Sequence, residues 1–316
     1  MACSTRGWEY KCLVREGLYS GLDDDWESGS YELLFPSTCQ IVEVQQLINV
    51  PGTRGTRAMY AEQTVPGNRL VGGRLRFKFG RADLDAWLPR ILGAPEATNV
   101  FKVANTIPWV QLLVDKGQGK LMEYRDGKVG RATFSGSAGG VVQLDLDLVF
   151  KVEEEYAHNW PEEPTYTPSL STRAIRFAEG GLGIGAGPTA ILFDSFSTTI
   201  DNLLDPGFYA GSFGATCIDE GKRLVTLQVP AQHTDAAKNL YKQGNDSLAG
   251  SLAFTGDNMS TTFAYPCLKW EKRGPVMDDE NQKTPVPLNM VAYRTEAGDS
   301  GADNEIQVTN DPVYAS

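Results

Sequence analysis

From Val141 to Val152 the chain reads VVQLDLDLVFKV and alternates without a break. Val142, Leu144, Leu146, Leu148, Phe150 and Val152 fall on one side; Gln143, Asp145, Asp147 and Lys151 fall largely on the other. Successive side chains of a strand point to opposite faces, so this stretch buries one face and wets the other, and it requires a second apolar layer to cover the leucines. The stretches NRLVGGRLRFKF, VQLLVD, RLVTLQV, SLAFTG, TTFAYPCLKWE and NEIQVTN read as further strands. Gly 33 and Pro 17 punctuate short apolar runs, which favours many short strands over long helices.

Two segments change period. In ADLDAWLPRILG, Leu84, Trp87, Leu88, Ile91 and Leu92 recur at helical spacing, with Asp83 as the expected N-cap and Gly93 as the stop. Pro89 lies inside this stretch and predicts a kink, since proline removes a backbone hydrogen bond. In HTDAAKNLYKQGN the cap is Thr234, the apolar stripe is Ala237, Leu240 and Tyr241, and the stop is Gly244.

The two helices are the centre of a repeat. LLF at 33–35, QQLINVPG, NRLV at 68–71, a helix and VVQLDLDLVF follow one another in the first half. ILF at 191–193, DNLLDPG, KRLV at 222–225, a helix and VPLNMVAYR follow in the second. The order and the offset of roughly 150 residues are those of a duplicated supersecondary plan. The halves meet at the acidic, proline-containing stretch from Glu153 to Ser169, whose composition suits a stiff, solvated connector. The expected fold is therefore mainly β, with two tandem domains at 1–155 and 170–316, a linker at 156–169, and one short flanking helix in each domain.

The glycines of GGLGIGAGPTAILFDSFSTTIDN, from Gly180, resemble a phosphate-cradling loop, but such a loop opens a helix. Here a β-branched, aromatic run follows instead, so Gly180 to Gly187 is expected to connect RAIRF to AILFDSF as a hairpin. No GxSxG, HExxH or GxxxxGK[ST] occurs, and the two histidines, His158 and His233, have ordinary loop settings. No catalytic, cofactor or metal site is expected. Asp23, Asp24 and Asp25 lack the spacing of a calcium loop. Asp145 and Asp147, about 7 Å apart on one strand face, fit an acid/base pair or a metal seat in principle, and the wet face of a strand more simply. Five cysteines without a CxxC pair exclude a disulfide scaffold, and no apolar leader or run of membrane-spanning length is written in the sequence. With 29 Lys+Arg against 40 Asp+Glu and a net charge of -11, the surface as a whole is unsuited to gripping duplex DNA.

The order of VREGLYS, GTRAMYAEQTVPGNRLVGGRLRFKF, SFSTTIDNLLDPGF, KRLVTLQVPAQHTDAAKNLYKQG and NEIQVTN is similar to that of the long form of tailed-bacteriophage tail tube proteins. The resemblance covers nearly the whole chain. It implies a β-sandwich or partly closed barrel in each half, and subunits joined edge to edge into rings that stack as a hollow DNA conduit. Two tandem domains imply trimeric rings with pseudo-sixfold symmetry. It also implies a virion component assembled in the host cytoplasm, with tail tip, tape measure and tail terminator proteins as partners, transit of double-stranded DNA, and neither a membrane nor a cofactor. On that view the polar segment 48–68 is an arm that orders when rings stack, with Arg54 and Arg57 pairing to the next ring. Asp145 and Asp147 then face the lumen and repel phosphates. Other classes are a β-sandwich carbohydrate-binding or adhesin-like virion module, which needs an aromatic platform such as Trp109, Trp160 and Trp270 would supply, and a hydrolase on a β scaffold.

Overall fold

The computed structural model describes residues 11–17, 26, 31–49, 64–78, 80–95, 97–117, 120–157, 160, 173–185, 189–243, 246–256, 259–271, 285–294 and 304–312. The first half contains β1 (Lys11–Glu16), β2 (Glu32–Leu34), β3 (Thr38–Asn49), β4 (Thr64–Phe77), α1 (Arg81–Leu92), β5 (Val100–Lys102), β6 (Val110–Asp115), β7 (Leu121–Ser137), β8 (Gln143–Phe150) and β9 (Val152–Glu155). The second contains β10 (Gly180–Ile184), β11 (Thr189–Ile191), β12 (Ser195–Asp201), β13 (Leu204–Gly207), β14 (Cys217–Glu220), β15 (Leu224–Gln232), α2 (Asp235–Lys242), β16 (Leu248–Gly256), β17 (Met259–Trp270), β18 (Pro285–Ala292) and β19 (Gln307–Pro312). The architecture is mainly β with two helices, its sheets packed as in a sandwich and not closed as barrels.

Alternation decides which faces are inside. Along β8 the leucines and Phe150 are buried and the intervening residues are not, as period two requires. The apolar stripe of α1 is fully buried, and Trp87 packs against the Phe77 ring at 5.9 Å between centroids. This helix starts earlier than its sequence suggests. Gly80 is the N-cap, and Asp83 sits inside the first turn, where its carboxylate accepts the Gly80 N–H at 2.9 Å. Burial pushes the Asp83 carboxyl up, and that hydrogen bond only partly offsets it. Pro89 lies within the helix, which closes one turn later with Gly93 N–H on the Pro89 carbonyl. α2 is capped as expected, its Ala237 N–H bonding the Thr234 hydroxyl at 3.2 Å.

The glycine run is itself a strand. β10 carries Gly180, Gly181 and Gly183 and pairs with β11, so only the last two glycines of the run, Gly185 and Gly187, fall in the connection at 185–188 and not the whole stretch from Gly180. RAIRF makes an isolated bridge at Arg176 and a short 3-10 turn, so it is not the hairpin's first strand. Gly180 is needed because a side chain there would begin 2.5 Å from the Phe254 ring.

The strand pairings of the first half recur in the second. β1–β2, β1–β6, β3–β4, β4–β8, β6–β7 and β7–β8 have counterparts in β10–β11, β10–β16, β12–β15, β15–β18, β16–β17 and β17–β18, all antiparallel. The repeated sequence landmarks sit on matching elements: NRLV lies within β4 and KRLV runs into the start of β15, and the two alternating runs are β8 and β18.

The halves are nevertheless joined. β7 is 17 residues long; its first part pairs with β6 and β9, its second with β8 and β12. The β7–β12 ladder, from Ser137↔Ser195 to Arg131↔Asp201, makes one sheet run through β3, β4, β8, β7, β12, β15 and β18. β19 returns to pair with β5, and one core cluster extends from Cys12 to Val308.

Candidate functional site

Two surfaces of the long sheet stand apart from ordinary solvated β structure. The first is its outward face. Residues in register across β3, β4, β8, β7 and β12 form a transverse row, Gln40–Arg74–Asp147–Arg131–Asp201. A neighbouring row reads Thr38–Arg76–Asp145–Thr133–Thr199–Thr226. Charges of opposite sign therefore face each other between adjacent strands, where side chains are close enough to pair.

They do pair. Arg76 Nε and Nη2 donate to the two oxygens of Asp145 at 2.5 and 3.2 Å, a bidentate fork. Arg74 Nε donates to Asp147 at 3.1 Å. Arg131 donates to Asp201 through Nε at 2.9 Å and Nη2 at 2.8 Å, and its Nη1 stands 3.9 Å from Asp147. Asp145 holds the Arg76 guanidinium above its ordinary value through the hydrogen bond first and the charge second. Exposed pairs of this kind contribute only about 0–1 kcal/mol each to stability. Their larger effect is on the charge that the face presents: three arginines are balanced by three aspartates. The strip beside them, Ser135, Ser137, Ser195, Ser197, Thr199, Thr226, Gln228 and Asn289, carries hydroxyls and amides only.

The second surface is the free margin of β3. Among the described residues β3 pairs only with β4. The Ile41 carbonyl points away from β4 and is taken by the Tyr124 hydroxyl at 3.0 Å and Lys116 Nζ at 3.2 Å. By period two, Glu43 turns its backbone N–H and C=O to the same open side. Around this margin Val42, Val44, Leu47, Ile48, Val65 and Leu70 are exposed, Leu47 to 70%. An open strand edge beside apolar side chains is a template for pairing with another chain.

The residues expected to act fall as follows. Asp145 and Asp147 both stand on the outward face, each held by arginine. Their partners Arg74 and Arg76, and Arg131 with Asp201, were not singled out from the sequence; only the register of separate strands brings them together. Arg54 and Arg57 lie outside the described residues, as does most of the 156–169 segment. The ends of the expected arm are strand: Ile48 pairs with Val65 and Asn49 with Thr64. His233 is exposed beside the α2 cap, and no group of three or more metal-ligating side chains occurs among the described residues. Trp109, Trp160 and Trp270 form no platform. Trp270 is buried, Trp160 is half-buried, and Lys128 and Lys151 lie over the Trp109 ring at 4.3 and 4.7 Å.

These features define a class, a mainly β protein whose distinctive surfaces are a strand margin and a charge-balanced sheet face. The chain belongs to the phage tail tube protein family, whose model matches residues 42–310. Its members are structural components of the virion tail and not enzymes. No match to the chain was found among the curated proteins.

Proposed function

We propose that the chain is the repeating subunit of a hollow tail tube that conducts DNA, and that it forms rings by pairing the β3 margin with a neighbouring molecule. The observation that carries this reading is the junction inside the chain. β12 is the counterpart of β3, and its equivalent margin is occupied by β7 of the first half. The counterpart of β7 is β17, so the same joint repeated between molecules brings the β17 side of one chain to the β3 margin of the next. The chain then counts as two tandem tube units, and three chains close a ring of six, since a heterologous contact generates a ring when its rotation closes. The outward sheet face becomes the wall of the bore. Arg54 and Arg57 are assigned to contacts between stacked rings. Tip, tape measure and terminator proteins meet the tube at its ends or in its lumen, and assembly takes place in the host cytoplasm.

Proline removes the backbone donor that a paired margin needs. Glu43→Pro is expected to give a soluble chain with its thermal transition retained and no rings or tubes in negative-stain images. Arg54→Ala/Arg57→Ala is expected to give rings that do not stack. Normal tubes from Glu43→Pro would place the joint elsewhere.

A further inference from the structure

We infer that Asp145, Asp147 and Asp201 act as charge masks, holding Arg74, Arg76 and Arg131 in the plane of the sheet so that a polyanion moving along this face meets no free guanidinium. This rests on the reading that the face lines the bore.

The geometry supports the assignment in three ways. Each arginine has a charge-assisted bond to an aspartate on the adjacent strand, so short side chains anchored in register hold the long ones flat. The aspartates are the better covered partners: Asp145 and Asp201 side chains are 18% and 14% exposed, against 40% and 51% for Arg76 and Arg131. Asp201 is fixed further by the Leu203 N–H at 3.0 Å. Finally, the strip alongside is uncharged, so the face binds phosphate only where an arginine is released. A released arginine offers a planar fork that matches phosphate oxygens, and at close range a paired one presents a dipole whose field fades faster than that of a free charge. Equal numbers of both signs leave the wall neither gripping nor strongly repelling.

The test uses Asp145→Asn/Asp147→Asn/Asp201→Asn, which keeps side-chain shape and removes the masking charge. Tubes are incubated with a short linear duplex or a covalently closed circular plasmid, then pelleted. Wild-type tubes are expected to carry down neither. The variant is expected to retain the linear duplex at least about tenfold better, with a log–log salt slope near −2.7 if one chain's three arginines each take a phosphate. It is expected to exclude the circle, which has no end to enter a bore. Adding Arg74→Gln/Arg76→Gln/Arg131→Gln to the same chain returns retention to the wild-type level. Retention of both DNA forms keeps the masks and overturns the bore assignment. Retention of neither overturns the masks. If the variant does not polymerise, duplex binding by the unassembled chain in the Glu43→Pro background decides the masking alone, and absence of binding there overturns it.

Discussion

Single residues in this chain matter most where two strands crowd a third. Gly72 and Gly73 lie in the middle of β4, between β3 and β8, and Gly73 has φ of 154°, in the region that favours glycine. A side chain at Gly73 would begin 2.0 Å from the Gln40 carbonyl oxygen of β3. Gly73→Ala is therefore expected to cost about 3 kcal/mol, seen as a fall in Tm of roughly 6 °C, and to loosen amide-exchange protection along β3. The glycine pair was plain in the sequence, but the reason for it was not, since it depends on which strands arrive on either side. Asp145 and Asp147 show the same division. Period two alone placed them on a wet face. Their arginines stand about 70 residues away in β4, or across a register shift beside Gly130 in β7, and no local pattern links them.

At the scale of elements, strict alternation made β8 legible, and helical spacing made α1 and α2 legible. β7 was hidden because LMEYRDGKVGRATFSGS contains turn-like glycines, including Asp126-Gly127. In the structure the strand runs through these glycines while its partners change from β6 and β9 to β8 and β12, and Gly127 packs so closely on Phe150 that a side chain would begin 2.1 Å from the ring. The β13–β14 hairpin was equally silent, and it ties the halves together. Its Glu220 accepts Lys128 Nζ at 2.7 Å and the Ile107 N–H at 3.2 Å, with Lys128 only 7% exposed over the Trp109 ring. Removing one partner of a buried ion pair costs about 3–5 kcal/mol. Lys128→Met should destabilise by about 3 kcal/mol in urea unfolding, and adding Glu220→Leu should cost less than the sum of the two single changes.

For the whole molecule, the sequence showed the order of two similar halves but not how far they share a structure. Short landmark matches reveal an order; they carry no information about a strand from one half completing a sheet in the other. β7 lies on β12, β5 on β19, and Asn310 donates to Asp85 of α1 at 2.7 Å. A fragment of residues 1–155 would leave the β7 margin bare and β5 without its partner. It is expected to aggregate or to show no cooperative thermal transition, and the full chain is expected to melt in a single step by calorimetry; a soluble fragment with its own sharp transition would show that the halves are independent.

The joint between β7 and β12 forms inside one polypeptide, so dilution cannot separate its partners. Every subunit carries this contact at an effective concentration set by its own tether, and only the remaining contacts must be found by diffusion. If three chains close the proposed ring, assembly should accordingly respond to protein concentration with the steepness of three encounters and not six, and a change at the β3 margin should shift its onset.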